Sequence, residues 1–441
     1  MTVHRGTFVA AVVLGFVLSA AAPAQQPAAP PLPDPLTVEQ AVALALQQNP
    51  TIVLAGQDVQ AAQAQVAIAR TNRSPQVNLT LTETYNPSPQ SFNIDGNEVA
   101  LSQRFSTNAA VTGSVPVWPH TRWRAPIAAA QANVGATQST QQRTRQQVAF
   151  ATRQSFYQVL NAQELLTVAQ DAVRVAREQL RLARSTVDAG LAAPLDVFQA
   201  QAALSNAEVN AQRAQNAVDL AVAALVTQIG LPAGTPLRVQ GPAELPAAAG
   251  ELAALTQTAL AQRPELTQLN FRRAQVRANM ELIRLEKKPL INVQASWNKS
   301  LFSDASALGG DGFTVSAAAA VNLFNGGRTN AELDAARIQL AQLDTTARQI
   351  ELGITLDVRS AWLGLQNALQ QLTAAEEGRR AAAEALRIAE LRYQNGEGIV
   401  LEVEQARLNL TQASTAQAQA RYQAQVSAAQ LQLAVGDAAQ G

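Results

Sequence analysis

Two carboxylates stand in the same local setting twice along the chain: Asp196 follows Gly190 and Pro194, and Glu402 follows Gly396. Gly190 and Gly396 suit the left-handed conformation that ends a long helix, and Pro194 suits the first turn of the next one. Asp196 and Glu402 then fall in the first turn of the returning helices, where the helix dipole favours a negative charge, a sufficient structural reason for both. Other chemistry has less support. The absence of cysteine from 441 residues removes disulfides, thiolate catalysis and Cys-ligated metal. Apart from His4, close to the start of the chain, His120 is the single histidine, and without a second one nearby it reads as a surface or loop residue. No Ser/His/Asp set, metal-ligand set or Gly-rich phosphate loop appears, so the chain is read as a non-enzyme with no cofactor and no metal.

The elements that carry these residues are duplicated. Leu46–Pro50 lines up with Leu260–Pro264, and Pro75–Leu79 with Pro289–Val293, at a constant offset of 214 residues. After one length change the offset is 206, holding from Trp118 against Phe324, through Gly190 against Gly396, to Gly230 against Gly436. A spacing kept over so long a stretch is what long rigid helices impose, and the length change belongs in a loop.

Composition agrees: 47% hydrophobic but only 4% aromatic, with Ala, Gln and Leu abundant, describes a helix-rich chain able to bury a large core. His4 and Arg5 precede the apolar run Phe8–Ala22, and Ala22-Pro23-Ala24 has the small-x-small form of a signal-peptidase site, so residues 1–24 are read as an export signal. That run is too short to span a bilayer, and no other uncharged stretch approaches about 20 residues. Formal net charge is +0, or −1 once Arg5 is removed, which argues against a nucleic-acid partner.

Residues 25–36, rich in Pro and Ala, read as a flexible lead-in. Repeat 1 covers 37–230 and opens on Thr37 and Gln40, a capping box. Residues 231–250, with Pro and Gly, form the junction, and repeat 2 covers 251–441. Each repeat holds two segments of period two. In the first (75–118) Val77, Leu79, Leu81 and Tyr85 alternate with Gln76, Asn78, Thr80 and Thr84, and later Val111, Val115 and Val117 with Thr112 and Ser114; Glu83 is the blemish. In the second (289–324) Ile291, Val293, Ala295 and Trp297 alternate with Asn292, Gln294, Ser296 and Asn298, and Phe313, Val315, Val321 and Leu323 follow in the partner segment. The loops at Asn86–Asn97 and Ser303–Gly312 are polar, as hairpin tips in water are.

Long helices follow, at 122–189 and 328–395, each roughly 100 Å at about 1.5 Å per residue. Val159, Leu166, Val173, Leu180 and Val187 recur every seven residues, with Ala162, Ala169, Ala176 and Ala183 between them. The second copy keeps Leu365, Leu372, Leu386 and Tyr393, with Ala368, Ala375, Ala382 and Ala389; Arg379 is the exception. The return helix at 194–229 does the same with Val197, Leu204, Ala211, Val218 and Leu225, and 399–435 is its counterpart. Alanine at one seam position predicts close antiparallel hairpins.

Amphipathic strands in an exported chain without membrane helices suit an outer-membrane β-barrel with an apolar lipid face and a wet lumen. Four strands cannot close a barrel, and open edges are not viable in lipid, so several copies must pool their hairpins. Helices of about 100 Å exceed a hydrocarbon core of about 30 Å and must project into water, continuing the barrel as a tube.

These residues resemble the TolC-like outer-membrane efflux protein family (outer membrane factors). The resemblance is carried by the two repeats, the opening Leu36-Thr37-Val38-Glu39-Gln40-Ala41, Asn49-Pro50, Val321-Asn322-Leu323-Phe324-Asn325-Gly326-Gly327-Arg328 ending a strand, and the turn signature Gly-x4-Leu-Asp/Glu-Val-x-x-Ala. It implies a mainly helical protein with membrane β structure: a homotrimer with a 12-stranded barrel, four strands per chain, continued by an α-helical coiled-coil barrel through the periplasm of a Gram-negative bacterium. It also implies a passive exit duct in outer-membrane lipid, coupled to an inner-membrane pump through a periplasmic adaptor (membrane fusion protein). The channel gate it implies consists of Glu402, Gln405, Asp196, Gln199 and Tyr393. Gln405 stands where the family has a second acidic residue, and Gly398 where it has a linking arginine, which implies a less negative and more weakly latched constriction. The adaptor-docking tips it implies are Ala189, Gly190, Leu191, Asn395, Gly396 and Glu397, with Glu397 in place of a small residue.

Two other readings fit parts of the pattern: a periplasmic adaptor, which would carry one hairpin flanked by compact β domains, and a coiled-coil stalk or adhesin, which the heptads alone would suit. Cargo is not written in a generic bore.

Overall fold

The computed structural model describes residues 34–437 apart from 89, 95–96, 101–103, 191–192, 242–249, 304–311 and 396. The expected signal, most of the lead-in, the loop between the second pair of strands, Leu191 and Gly396 lie outside the described residues. Repeat 1 comprises α1 (Val38–Gln48), α2 (Pro50–Thr71), β1 (Gln76–Tyr85), β2 (Ser91–Ile94), β3 (Asn97–Ala100), β4 (Phe105–Trp118), α3 (Thr121–Asp188) and α4 (Pro194–Ile229). Repeat 2 comprises α5 (Leu252–Gln262), α6 (Pro264–Leu285), β5 (Leu290–Ser303), β6 (Gly312–Ala320), α7 (Arg328–Gln394) and α8 (Val400–Val435).

Local chemistry sets the starts and stops. The Thr37 hydroxyl accepts from the Gln40 N–H at 3.4 Å while the Thr37 N–H donates to Gln40 Oε1 at 3.0 Å, closing the capping box. Asn49 caps α2 by accepting from the Thr51 N–H at 2.8 Å, and its amide donates to the Gln228 carbonyl at 2.7 Å, tying α2 to the end of α4. Gly230 ends α4 at φ +92°, and a Cβ there would lie 2.7 Å from the Gln48 carbonyl oxygen, so only glycine fits. In repeat 2 the position of Asn49 is taken by Arg263. Its guanidinium is almost wholly buried and pairs with Glu265 at 2.8 Å and Asp357 at 2.9 Å; Arg143 joins Glu265 at 3.2 Å. Burial works against the Arg263 charge, but the hydrogen bonds to Glu265 and Asp357 outweigh it and raise its pKa, whereas burial lowers that of Arg143.

β1, β4, β5 and β6 form one antiparallel sheet in that order, so the two repeats meet at the β4–β5 ladder. The helices attached to these strands pack in the matching order, α2 on α3, α3 on α6 and α6 on α7. The contact between repeats is close: a Cβ on Gly135 of α3 would fall 2.4 Å from the Phe271 ring of α6. Further from the sheet α3 pairs with α4 and α7 with α8, while α8 also packs on α3. Two apolar cores mark the level where these arrangements meet, one around Leu36, Phe156, Val159, Leu225 and Ile229, the other around Ala259, Ile354, Val358, Leu365 and Leu431. Burying side chains of this size contributes about 1.5–3 kcal/mol each. The heptad seams lie inside the hairpins, with Val173, Ala176 and Leu180 against Val197, Ala200 and Leu204 in the first and Ala368 and Leu372 against Ala424 in the second.

Three details differ from expectation. Leu36, expected in a flexible lead-in, is fully buried and hydrogen-bonds the Arg238 carbonyl and the Gln240 N–H, because the junction segment offers it a parallel partner. β6 stops at Ala320 rather than running to Leu323 and Phe324: its partner β5 begins at Leu290, directly after Pro289, so the ladder has nothing further to pair. Leu323 and Phe324 are 91% and 88% exposed. The loop expected at Asn86–Asn97 contains part of a small two-stranded sheet, Ser91–Ile94 against Asn97–Ala100.

Candidate conduit and gate

The four-stranded sheet is bare on its apolar face. Val77, Leu79, Leu81, Phe313 and Val315 are exposed, Leu79 by 74%. Among the described residues β1 pairs only with β4 and β6 only with β5, so both edges of the sheet are open within one chain. The other face is polar. Asn72, Ser74, Gln76, Ser114 and Asn292 line a groove there with Arg122. Along α3, Arg122 and Pro126 of this groove share one helical stripe with Asn133, Thr137 and Thr140, which line a larger groove across all four helices together with Asp58, Gln65, Gln268 and Arg272. The polar face of the sheet thus leads on to a helical groove rich in amides and hydroxyls, with Leu282 and Leu290 at the junction and Val276 and Leu343 beside the polar groups further along. Among the described residues no helix is long and apolar enough to cross a membrane, and no cluster of His, Cys, Asp or Glu is arranged to hold a metal.

The hairpin ends lie at the pole opposite the sheet. At the first, Ala189 and Gly190 close α3, Gly190 at φ +73° with its N–H on the Val187 carbonyl at 2.9 Å. Asp196 and Gln199, one turn apart on α4, are exposed. At the second, the Glu397 and Gly398 N–H groups both reach the Arg392 carbonyl, at 2.8 and 3.1 Å. The Arg392 guanidinium turns back to the Glu397 carbonyl at 3.4 Å and pairs with Glu402 at 3.6 Å. A Cβ on Gly398 would stand 3.1 Å from the Tyr393 nitrogen, so a larger residue there would make the turn give by a few tenths of an ångström. Gln405 is exposed and donates to Asn409 on its own helix at 3.0 Å.

Asp196 and Glu402, and Gln199 and Gln405, occupy the same positions in the two repeats, at the offset of 206. Tyr393 is exposed at the end of α7 and, among the described residues, makes no hydrogen bond to Asp196 within one chain. Ala189, Gly190, Asn395 and Glu397 stand at the turns.

Two contacts escaped the sequence reading. Arg392 is one; the other is a strut across each hairpin, Arg184 to Gln201 at 3.2 Å in the first and Glu390 to Arg407 at 3.0 Å in the second, again related by the offset of 206. Arg407 also lies 3.7 Å from Glu404. Burial raises the Glu404 pKa above the usual carboxylate value, against the pull of Arg407. A search for complementary residues at matching offsets flanking each turn would have found the struts.

A duplicated chain with an edge-open amphipathic sheet, continued by long paired helices, has the fold of an outer-membrane channel-tunnel. The family model described as "Outer membrane efflux protein" matches residues 41–231 and 255–437, one segment per repeat, and the chain belongs to that family. It is 24% identical to the outer membrane efflux protein BepC of Brucella suis biovar 1 (strain 1330) over 373 residues, 84% of this chain and 79% of that protein. Its fold is similar to that of CusC, with a TM-score of 0.75 at 21% identity over 90% of this chain and 91% of the other. It is also similar to the Campylobacter jejuni CmeC outer membrane channel, with a TM-score of 0.73 at 17% identity over 91% and 86%.

Proposed function

We propose that the protein is the passive outer-membrane exit duct of a tripartite efflux or type I secretion system, working as a homotrimer. Four strands with two open edges are the observation that carries this reading: three chains joined β6 to β1 give 12 strands and leave no edge. The bare apolar face then meets lipid, the polar face lines the lumen, and the helices extend the tube through the periplasm.

In this reading the far tips form the gate, with Glu402 and Asp196 as the charged positions, Gln405 and Gln199 as neutral ones, and Tyr393 facing the neighbouring hairpin. Ala189–Leu191 and Asn395–Glu397 meet a periplasmic adaptor, through which an inner-membrane pump delivers cargo. The duct does no chemistry, and transport energy comes from the pump.

Purified in detergent, the mature chain is expected to run as a trimer by light scattering and to conduct ions in planar bilayers; a stable monomer that needs no detergent would refute the reading. Leu191→Cys and Glu397→Cys variants are expected to form disulfide crosslinks to cysteines placed on the adaptor's hairpin, and if neither crosslinks, these tips are not the docking surface.

A further inference from the structure

Both long helices carry an arginine in their first turn at equivalent positions of the two repeats, Arg122 in α3 and Arg328 in α7. Neither helix has an acidic residue in its first turn. A cation at a helix N-terminus opposes the helix dipole, so an arginine there needs a local partner or another role. The two copies have diverged in their surroundings. Arg328 is paired with Glu286 at 3.3 Å and with Glu332 at 3.7 Å. Arg122 is exposed and, among the described residues, makes no ion pair. It points into the groove on the polar face of the sheet, where Asn72, Ser74, Gln76, Ser114 and Asn292 are all neutral.

We propose that Arg122 is a selectivity residue, forming a cationic station for anions at the waist of the duct, where strands give way to helices. The inference rests on the trimeric duct reading, in which this face lines the lumen and three copies of Arg122 ring it. Like charges ringing a confined passage raise the local concentration of counter-ions there. The guanidinium holds its charge at any physiological pH and offers a planar fork of N–H donors, with the surrounding amides as further donors. Solutes bearing carboxylate or phosphate groups fit that chemistry. At the other end of the tube Glu402 is paired with Arg392, which offsets part of the negative charge that an anion would meet there.

The test is the reversal potential of single trimers across a potassium chloride gradient. Wild type is expected to prefer chloride; Arg122→Gln should lower the chloride-to-potassium permeability ratio by about two-fold or more, and Arg122→Lys should retain it. Asn292→Asp, which sets a carboxylate in the same groove, should produce the same fall and serves as an independent variant if Arg122→Gln does not assemble. A ratio unchanged in Arg122→Gln, or in Asn292→Asp should Arg122→Gln not assemble, in trimers that conduct normally, overturns the proposal and leaves the duct reading intact. A wild type that forms no channels overturns both.

Discussion

In the proposed duct, Arg392 would set how much of the Glu402 charge an ion at the tip meets. The pair is exposed and separated by 3.6 Å, so it contributes no more than about 1 kcal/mol to stability. Its effect on a confined ion is larger than its effect on folding, because a lumen focuses the field of fixed charges. Arg392→Ala is expected to leave the trimer intact and to strengthen block by divalent cations by about three-fold, whereas Glu402→Gln weakens it. Single-channel conductance in divalent salt measures both, and equal block in the two variants would remove Glu402 from the gate. Glu402 and Asp196 were legible in the sequence because a glycine, a spacer and an acidic first-turn residue recur together. Arg392 was not, because its two contacts depend on how the turn folds back, with the Glu397 and Gly398 N–H groups closing on the Arg392 carbonyl.

Among the elements, helices were the easiest to read, since a heptad seam of Val, Leu and Ala leaves a periodic trace that the observed burial follows at Val159, Ala162, Val173, Ala176 and Leu180. Strand ends were harder. The alternation of Val321 and Leu323 continues past Ala320, yet a strand lasts only as long as its neighbour, and β5 has already stopped. The burial of Leu36 was hidden for a similar reason, its partner Val239 lying in a junction without periodicity. Glycine at element ends was legible as a helix stop, but its second role, close approach to another segment, was not. Gly230→Ala combines a left-handed backbone with a Cβ 2.7 Å from the Gln48 oxygen, and is expected to cost about 2–3 kcal/mol, read as a lower thermal midpoint of the trimer.

For the whole molecule, the duplication carried most of the information. Constant offsets predicted two hairpins on two strand pairs, and the sheet order with its matching helix order follows from each helix running straight out of its strand. In the proposed trimer the sheet edges join copy to copy and the apolar face meets lipid, so a charge placed at mid-height on that face should act on assembly in the membrane. Leu79→Lys puts an ammonium opposite Val111 where lipid is expected, at a cost of about 2–4 kcal/mol per chain. Light scattering in detergent is expected to show monomer in place of trimer, and full assembly of the variant would argue that this face does not meet lipid.

The hairpin struts have one further consequence. Arg184 with Gln201 joins a cation to an amide, while Glu390 with Arg407 joins two opposite charges, so the halves of each chain match in shape but differ in polarity. In the proposed trimer the crown of hairpin ends would therefore alternate, a strut of net positive charge and then a neutral ion pair, around its rim. Anything gripping that crown from below finds the same footing only at every second finger, and can seat in half as many rotational registers as the outline suggests.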